Sequence, residues 1–299
     1  MALPQYDYAS PGGRGRLAWS TVVEWARSAR ALGFESVWLA DHLFMSIEKY
    51  GAPPGEHFGF DPILGLAALA RHVPDVRLGT LVLCPQLRPV RLLATQLESL
   101  TSLAPGRTVI GVGAGWLEAE FRAAGVPFLR PGLRLEQLRE ALAVIRTAVG
   151  PTAPLWVGGK GDRLLDIVAR QADGWNTVWQ WTVEDYKRRS DVLDQACERV
   201  GRDPAEVTRS VGLYALVGED EKDLRRRFER LRQVSPPGVL PDSLSQWRHG
   251  RLVGTVDEVR AQRDEWSAIG VTSLVAGLGG VPFSGTDQED LPLLASALI

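Results

Sequence analysis

Chemistry in this chain begins at Asp41-His42, which follows the apolar run Ser36 to Ala40 and contains a histidine directly at a predicted strand end. A neutral imidazole there can exchange a proton or donate a hydrogen bond near neutral pH. Asp41 either orients that ring or caps the next turn. A second feature is Gly111-Val112-Gly113-Ala114-Gly115-Trp116, whose glycines let a flat ligand approach the backbone; a tight strand-to-helix turn explains the same residues. A dinucleotide fingerprint fails here, because its third glycine would fall at Trp116. Further along, Gly158-Gly159-Lys160-Gly161-Asp162 precedes a helical pattern. Backbone N–H groups at such a start, with Lys160 as a point charge, form a cradle for phosphate. The segment Ala172-Asp173-Gly174-Trp175-Asn176, with Trp179 and Trp181, supplies indoles for an apolar pocket or for core packing. Cys84 reads as a buried, inert thiol.

Other chemistries lack their residues. His57, His72 and His249 are scattered without metal-ligand spacing, so no metal is expected. No Gly-x-Ser-x-Gly elbow is present, and Lys49, Lys160, Lys187 and Lys222 all lie outside predicted strands, against a serine hydrolase and a Schiff-base aldolase.

The elements that must position these residues read as a barrel. Runs at Ala2 to Gln5, Ser36 to Ala40, Val76 to Leu83, Thr108 to Gly113, Leu155 to Gly158, Gly174 to Val178, Ser210 to Val217 and Val271 to Gly277 predict eight strands. Helical spacing separates them, clearest at Leu135, Leu138, Leu142, Ile145 and Val149. Asp61 before Pro62 and Thr255 to Glu258 signal helix starts. The fold class is therefore α/β, a (β/α)8 TIM barrel whose chemistry sits at the C-terminal strand ends. The whole chain, 1–299, reads as one such domain with insertion loops at about 43–60 and 235–251. Both loops are long enough to be active-site loops, the second equally a surface excursion.

Composition narrows the class further. The 299 residues are 45% apolar and 23% charged, with 34 basic against 36 acidic side chains, so no general footprint for nucleic acid or an anionic membrane exists. Two cysteines cannot make a disulfide scaffold, no apolar stretch reaches membrane-spanning length, and MALPQYDYAS lacks signal-peptide regions. A cytoplasmic location is expected.

Taken together, Ala31 to His42, Arg77 to Thr80, Gly111 to Gly115, Gly158-Gly159 and Ala172 to Asn176 resemble the bacterial luciferase-like family of flavin and deazaflavin oxidoreductases over essentially the full length. Asp41-His42 and the Asp-Gly-Trp-Asn segment look like the branch using coenzyme F420, with FMN as the alternative cofactor. That resemblance implies hydride transfer to or from a small neutral or apolar substrate, with an FMN-dependent monooxygenase or a non-catalytic flavin binder as alternatives. It implies His42 as the catalytic group. Asp41, Thr80, Leu81, Val82, Gly113, Gly115, Gly158, Gly159 and Lys160 would contact the cofactor, and Trp116, Trp175 and Trp179 the substrate. A non-proline cis bond is implied at Leu81–Val82. Family members that act on sugar phosphates carry a glutamate where this chain has Trp116; Glu118 and Glu120 fall on the following helix. Homodimers are common in the family, and one is expected here.

Overall fold

A computed structural model describes residues 1–10 and 15–299. Parallel strands β1 (Ser36–Leu39), β2 (Arg77–Thr80), β3 (Thr108–Val112), β4 (Leu155–Gly158), β5 (Gly174–Trp179) and β6 (Thr208–Gly218) pair in chain order. Along its first half β6 next pairs β8 (Ser273–Leu278), Ser210 standing opposite Ser273. The N-terminal stub closes the ring. Ala2 N–H donates to Ala276 O at 2.9 Å, and Leu3 N–H donates to Trp38 O at 3.1 Å. The stub thus contributes a single bridge, Ala2 to Trp38, rather than a full strand.

One strand departs from the sequence expectation. β7 (Leu252–Thr255) pairs only with Ala215 to Gly218, the far end of β6, and is not a stave of the barrel. Its four residues are too short to announce themselves by alternation. The predicted strand Val76 to Leu83 is also interrupted: β2 ends at Thr80, the Leu81–Val82 peptide is cis, and pairing resumes with a bridge from Leu83 to Val112.

Helices cover the ring, including α1 (Trp19–Ala31), α2 (Pro62–His72), α3 (Val90–Leu103), α4 (Glu118–Ala123), α5 (Pro131–Val149), α6 (Asp162–Gln171) and α7 (Val183–Arg199). After β6 come α8 (Glu221–Val234), α9 (Leu244–Arg248), α10 (Val256–Ala268) and α11 (Leu291–Leu298). Both signalled starts are built as expected. Asp61 accepts from Leu64 N–H at 2.9 Å ahead of Pro62, and Thr255 and Glu258 form a reciprocal capping box.

Strand alternation divides the core in two. Val37, Leu39, Leu78, Ile110, Leu155 and Val157 face the helices, while Trp38, Val109, Trp156, Trp179 and Tyr214 fill the barrel. Trp38 and Trp156 stack at 5.2 Å between centroids. A β-carbon on the neighbouring Gly79 would lie 2.2 Å from the Trp38 ring, so only glycine leaves room for that indole.

The two insertions meet over the barrel mouth. Met45 pairs with His57 inside the first, and Gly59 pairs with Tyr6. Gly51 and Gly238 both take positive φ, and a β-carbon on Gly51 would lie 2.3 Å from Gly238 O. The second insertion, containing α9, therefore braces the first by direct backbone contact. No helix of the described residues is long and apolar enough to cross a membrane.

Candidate active site

At the C-terminal strand ends lies a cavity of about 370 Å³, within the range of small-molecule sites. His42 forms one wall. Its Nδ1 sits 2.8 Å from Glu120 Oε2, and the other carboxylate oxygen accepts Leu43 N–H at 2.6 Å. An ionised Glu120 fixes Nδ1 as the protonated nitrogen. Among the described residues Nε2 has no hydrogen-bond partner. The Glu120 side chain is only 4% exposed, so the imidazole is its compensating group.

Glu120 is the functional residue that sequence reasoning passes over. It does lie on the helix after the glycine run, as expected, but the short α4 turns it inward. Glu118, two residues earlier, is exposed and pairs with Arg122 at 3.6 Å. Positions two apart on a helix point to nearly opposite sides, so one of the pair had to face the barrel.

Asp41 takes neither role expected of it toward the ring. One oxygen accepts Cys84 N–H at 2.9 Å and the other meets Arg88 at 2.6 Å, with both side chains largely buried. It ties the end of β1 to the segment after β2 and reaches the cavity only as part of its wall. Burial, with Asp41 adding to it, pushes the Cys84 thiol up to about 12, which keeps it protonated and unreactive.

The floor comes from strands β2 to β4. Leu81, Val82, Gly113, Gly115, Gly158, Gly159 and Lys160 all border the cavity. The glycines also make room for packed side chains. A β-carbon on Gly113 or on Gly158 would lie 2.8 Å from a Val82 methyl group. On Gly115, with φ +69°, it would meet Phe121 at 2.6 Å. Side chains already present require these glycines. Nor is the diglycine a free cradle: Gly159 N–H donates to Asn176 O at 3.0 Å. The donors open to an anion are the N–H groups of Asp162 and Arg163 at the start of α6, ahead of the Leu164 N–H that already donates to Gly161 O at 2.9 Å, together with Lys160.

Two expected contacts lie elsewhere. Thr80 does not border the cavity; its hydroxyl donates to Gly111 O at 2.9 Å and accepts Gly111 N–H, joining β2 to β3. Trp175 is fully buried on the helix side of β5, stacked 4.7 Å from Tyr186. Its indole N–H donates to Gly159 O at 2.6 Å, so it shapes the turn before Lys160 from behind. Period-two alternation decides this, since Asn176 takes the inward position. Trp116 and Trp179 do border the cavity, Trp116 edge-on to His42 at 5.7 Å. Met45, Lys49 and Tyr50 from the first insertion, and Pro282 and Phe283 after β8, complete the mouth. These residues carry no local signal, because only the closed ring brings loops so distant in the chain to one rim.

The family model for luciferase-like monooxygenases matches residues 4–273, and the chain belongs to that family. It is 26% identical to a phthiodiolone/phenolphthiodiolone dimycocerosates ketoreductase of Mycobacterium bovis, covering 90% of this chain and 82% of that protein. Identity to a 5,10-methylenetetrahydromethanopterin reductase of Methanolobus tindarius is 24%, covering 93% and 95%. Among solved structures, an F420-dependent secondary alcohol dehydrogenase, bound to an F420-acetone adduct, superposes with a TM-score of 0.72 at 17% identity, covering 93% and 96%.

Proposed function

We propose that this protein is an F420-dependent oxidoreductase that interconverts a carbonyl compound and its alcohol. The observation carrying the reading is the His42–Glu120 pair, whose Nε2 has no partner among the described residues, on the wall of a mainly apolar cavity whose far side is the Gly158-Gly159-Lys160 turn leading into α6. The residues present suit a planar ring with an anionic tail. Leu81, Val82 and Trp179 give apolar surface for the ring, and Lys160 with the first N–H groups of α6 would hold a phosphate.

A reduced deazaflavin held there would supply the hydride for the substrate carbon. His42, as the imidazolium that Glu120 stabilises, gives its Nε2 proton to complete the hydroxyl and is left neutral with its proton on Nδ1; in the reverse direction Nε2 takes the proton back. Glu120 holds the ring in one orientation and stabilises its protonated form. Trp116 shields the pair from bulk water, and the braced insertions hold Met45 and Tyr50 at the rim.

Titration with F420 and FMN, followed by ligand fluorescence, tests the cofactor assignment. Tight F420 binding and F420 oxidation by ketones support it; tight FMN and weak F420 binding would replace it with a flavin monooxygenase. We further take the chain as one domain acting in the cytoplasm as a homodimer. The two free, buried cysteines suit a reducing compartment, and exposed Leu64, Leu92 and Leu103 on α2 and α3 suit a partner surface. Light scattering on the purified protein reads the oligomeric state.

A further inference from the structure

We propose that Lys49 anchors an anionic group of the substrate, so that the compound turned over at His42 is an apolar carbonyl or carbinol molecule bearing one carboxylate. This rests on the oxidoreductase reading above and adds the substrate class to it.

The argument is one of charge balance. Two carboxylates border the cavity, and both are engaged: Glu120 by His42 and the Leu43 amide, Asp41 by Arg88 and the Cys84 amide. Two lysines border it as well, and neither has an acidic partner among the described residues. Lys160 leans toward Trp181, 5.7 Å from the ring centre, at the turn assigned to the cofactor's phosphate. Lys49 remains. Its ammonium rests 3.2 Å from the centre of the Trp116 ring and 4.9 Å from that of Tyr50.

Trp116 also meets His42 in a T-shaped contact, so Lys49 and the proton-carrying imidazole both touch one side chain. Among the described residues no carboxylate meets this ammonium, and an aromatic face is a weaker partner than a carboxylate would be. Lys49 is exposed at the mouth, and partial desolvation lowers its pKa to about 8, which leaves the ammonium charged at neutral pH and open to an incoming anion. Met45, Phe283 and Trp179 on the rim suit an apolar body. Lys49 also sits on the first insertion, which Gly238 braces, so its position is held from both sides of the mouth.

The test is calorimetric titration of the protein with hexanoate and with hexanamide, which differ in charge but hardly in shape, with and without saturating F420. Hexanoate is expected to bind about tenfold more tightly than hexanamide. Lys49→Met should bring the two within about twofold of each other, and Lys49→Arg should preserve the gap. In turnover, Lys49→Met should raise the KM for 4-oxopentanoate about tenfold with little change in kcat, and leave the KM for 4-oxopentanamide unchanged. Equal binding of the two probes to the native protein would overturn the proposal. So would a gap that survives Lys49→Met, or one that Lys160→Met abolishes instead. Failure of F420 to bind would remove the proposed function, while the hexanoate and hexanamide contrast would still judge Lys49 on its own.

Discussion

Glu120 Oε2 lies 2.8 Å from His42 Nδ1, although 77 residues separate Glu120 from the amide of Leu43 that its other oxygen accepts. The carboxylate is thereby held from two sides and presents a fixed face to the imidazole. His42→Ala should reduce turnover by about 100-fold or more, the usual contribution of a positioned acid or base. Glu120→Gln keeps the shape but loses the charge that favours the protonated ring, so a loss of about 10- to 100-fold is expected with F420 affinity nearly unchanged. Steady-state kinetics beside fluorescence titration separates the two effects; an unaltered kcat in both variants would remove the pair from the chemistry.

Val82 fills the space that a β-carbon on Gly158 would need. Gly158→Ala should cost about 1 to 3 kcal/mol through overpacking. Adding Val82→Ala should recover part of that loss, giving a favourable coupling of about 1 kcal/mol in a double-mutant cycle by urea unfolding. Strict additivity would mean that the glycine serves something other than the valine.

Trp175 supports the site without touching the cavity. Trp175→Phe retains the stack on Tyr186 but removes the hydrogen bond to Gly159 O. The expected result is a several-fold weaker F420 binding with a loss of about 1 kcal/mol in stability. Were Trp175 a substrate contact instead, KM for the carbonyl compound would move and cofactor affinity would not.

Asp41 and Arg88 form a largely buried pair. Asp41→Asn strands the guanidinium and also weakens the tie to Cys84 N–H, so a destabilisation of about 3 to 5 kcal/mol is expected in chemical denaturation. A loss below about 1 kcal/mol would show that solvent reaches Arg88 in solution.

Acid stability depends in part on Asp223, near the start of α8. Burial works to raise its pKa, but hydrogen bonds from Arg227, the Glu219 amide and Arg226 outweigh it and bring the group to about 2. The folded-state value is below the unfolded one. Its stabilisation is therefore complete above the ordinary carboxylate range and disappears as pH falls toward about 2. Thermal melts of Asp223→Asn should lie below the native protein at neutral pH and converge with it in strong acid. Parallel curves at every pH would assign no role to the charge.

The alternation of strand and helix, the caps at Asp61 and Thr255, and a histidine and two glycine runs at strand ends were all legible in the amino-acid order. Each is a local property, set by side-chain periodicity, proline and glycine geometry, or capping within a few residues. Which face of an element meets the cavity was not. Trp175 and Asn176 are neighbours, yet the register of β5 sends one to the helices and the other inward. Glu118 and Glu120 share a six-residue helix, and only its docking against the mouth chose Glu120 for His42. Lys49 became a cavity residue when the first insertion folded back over the barrel and met Gly238. Such choices depend on contacts between residues tens to hundreds of positions apart, and closure of the ring makes those contacts.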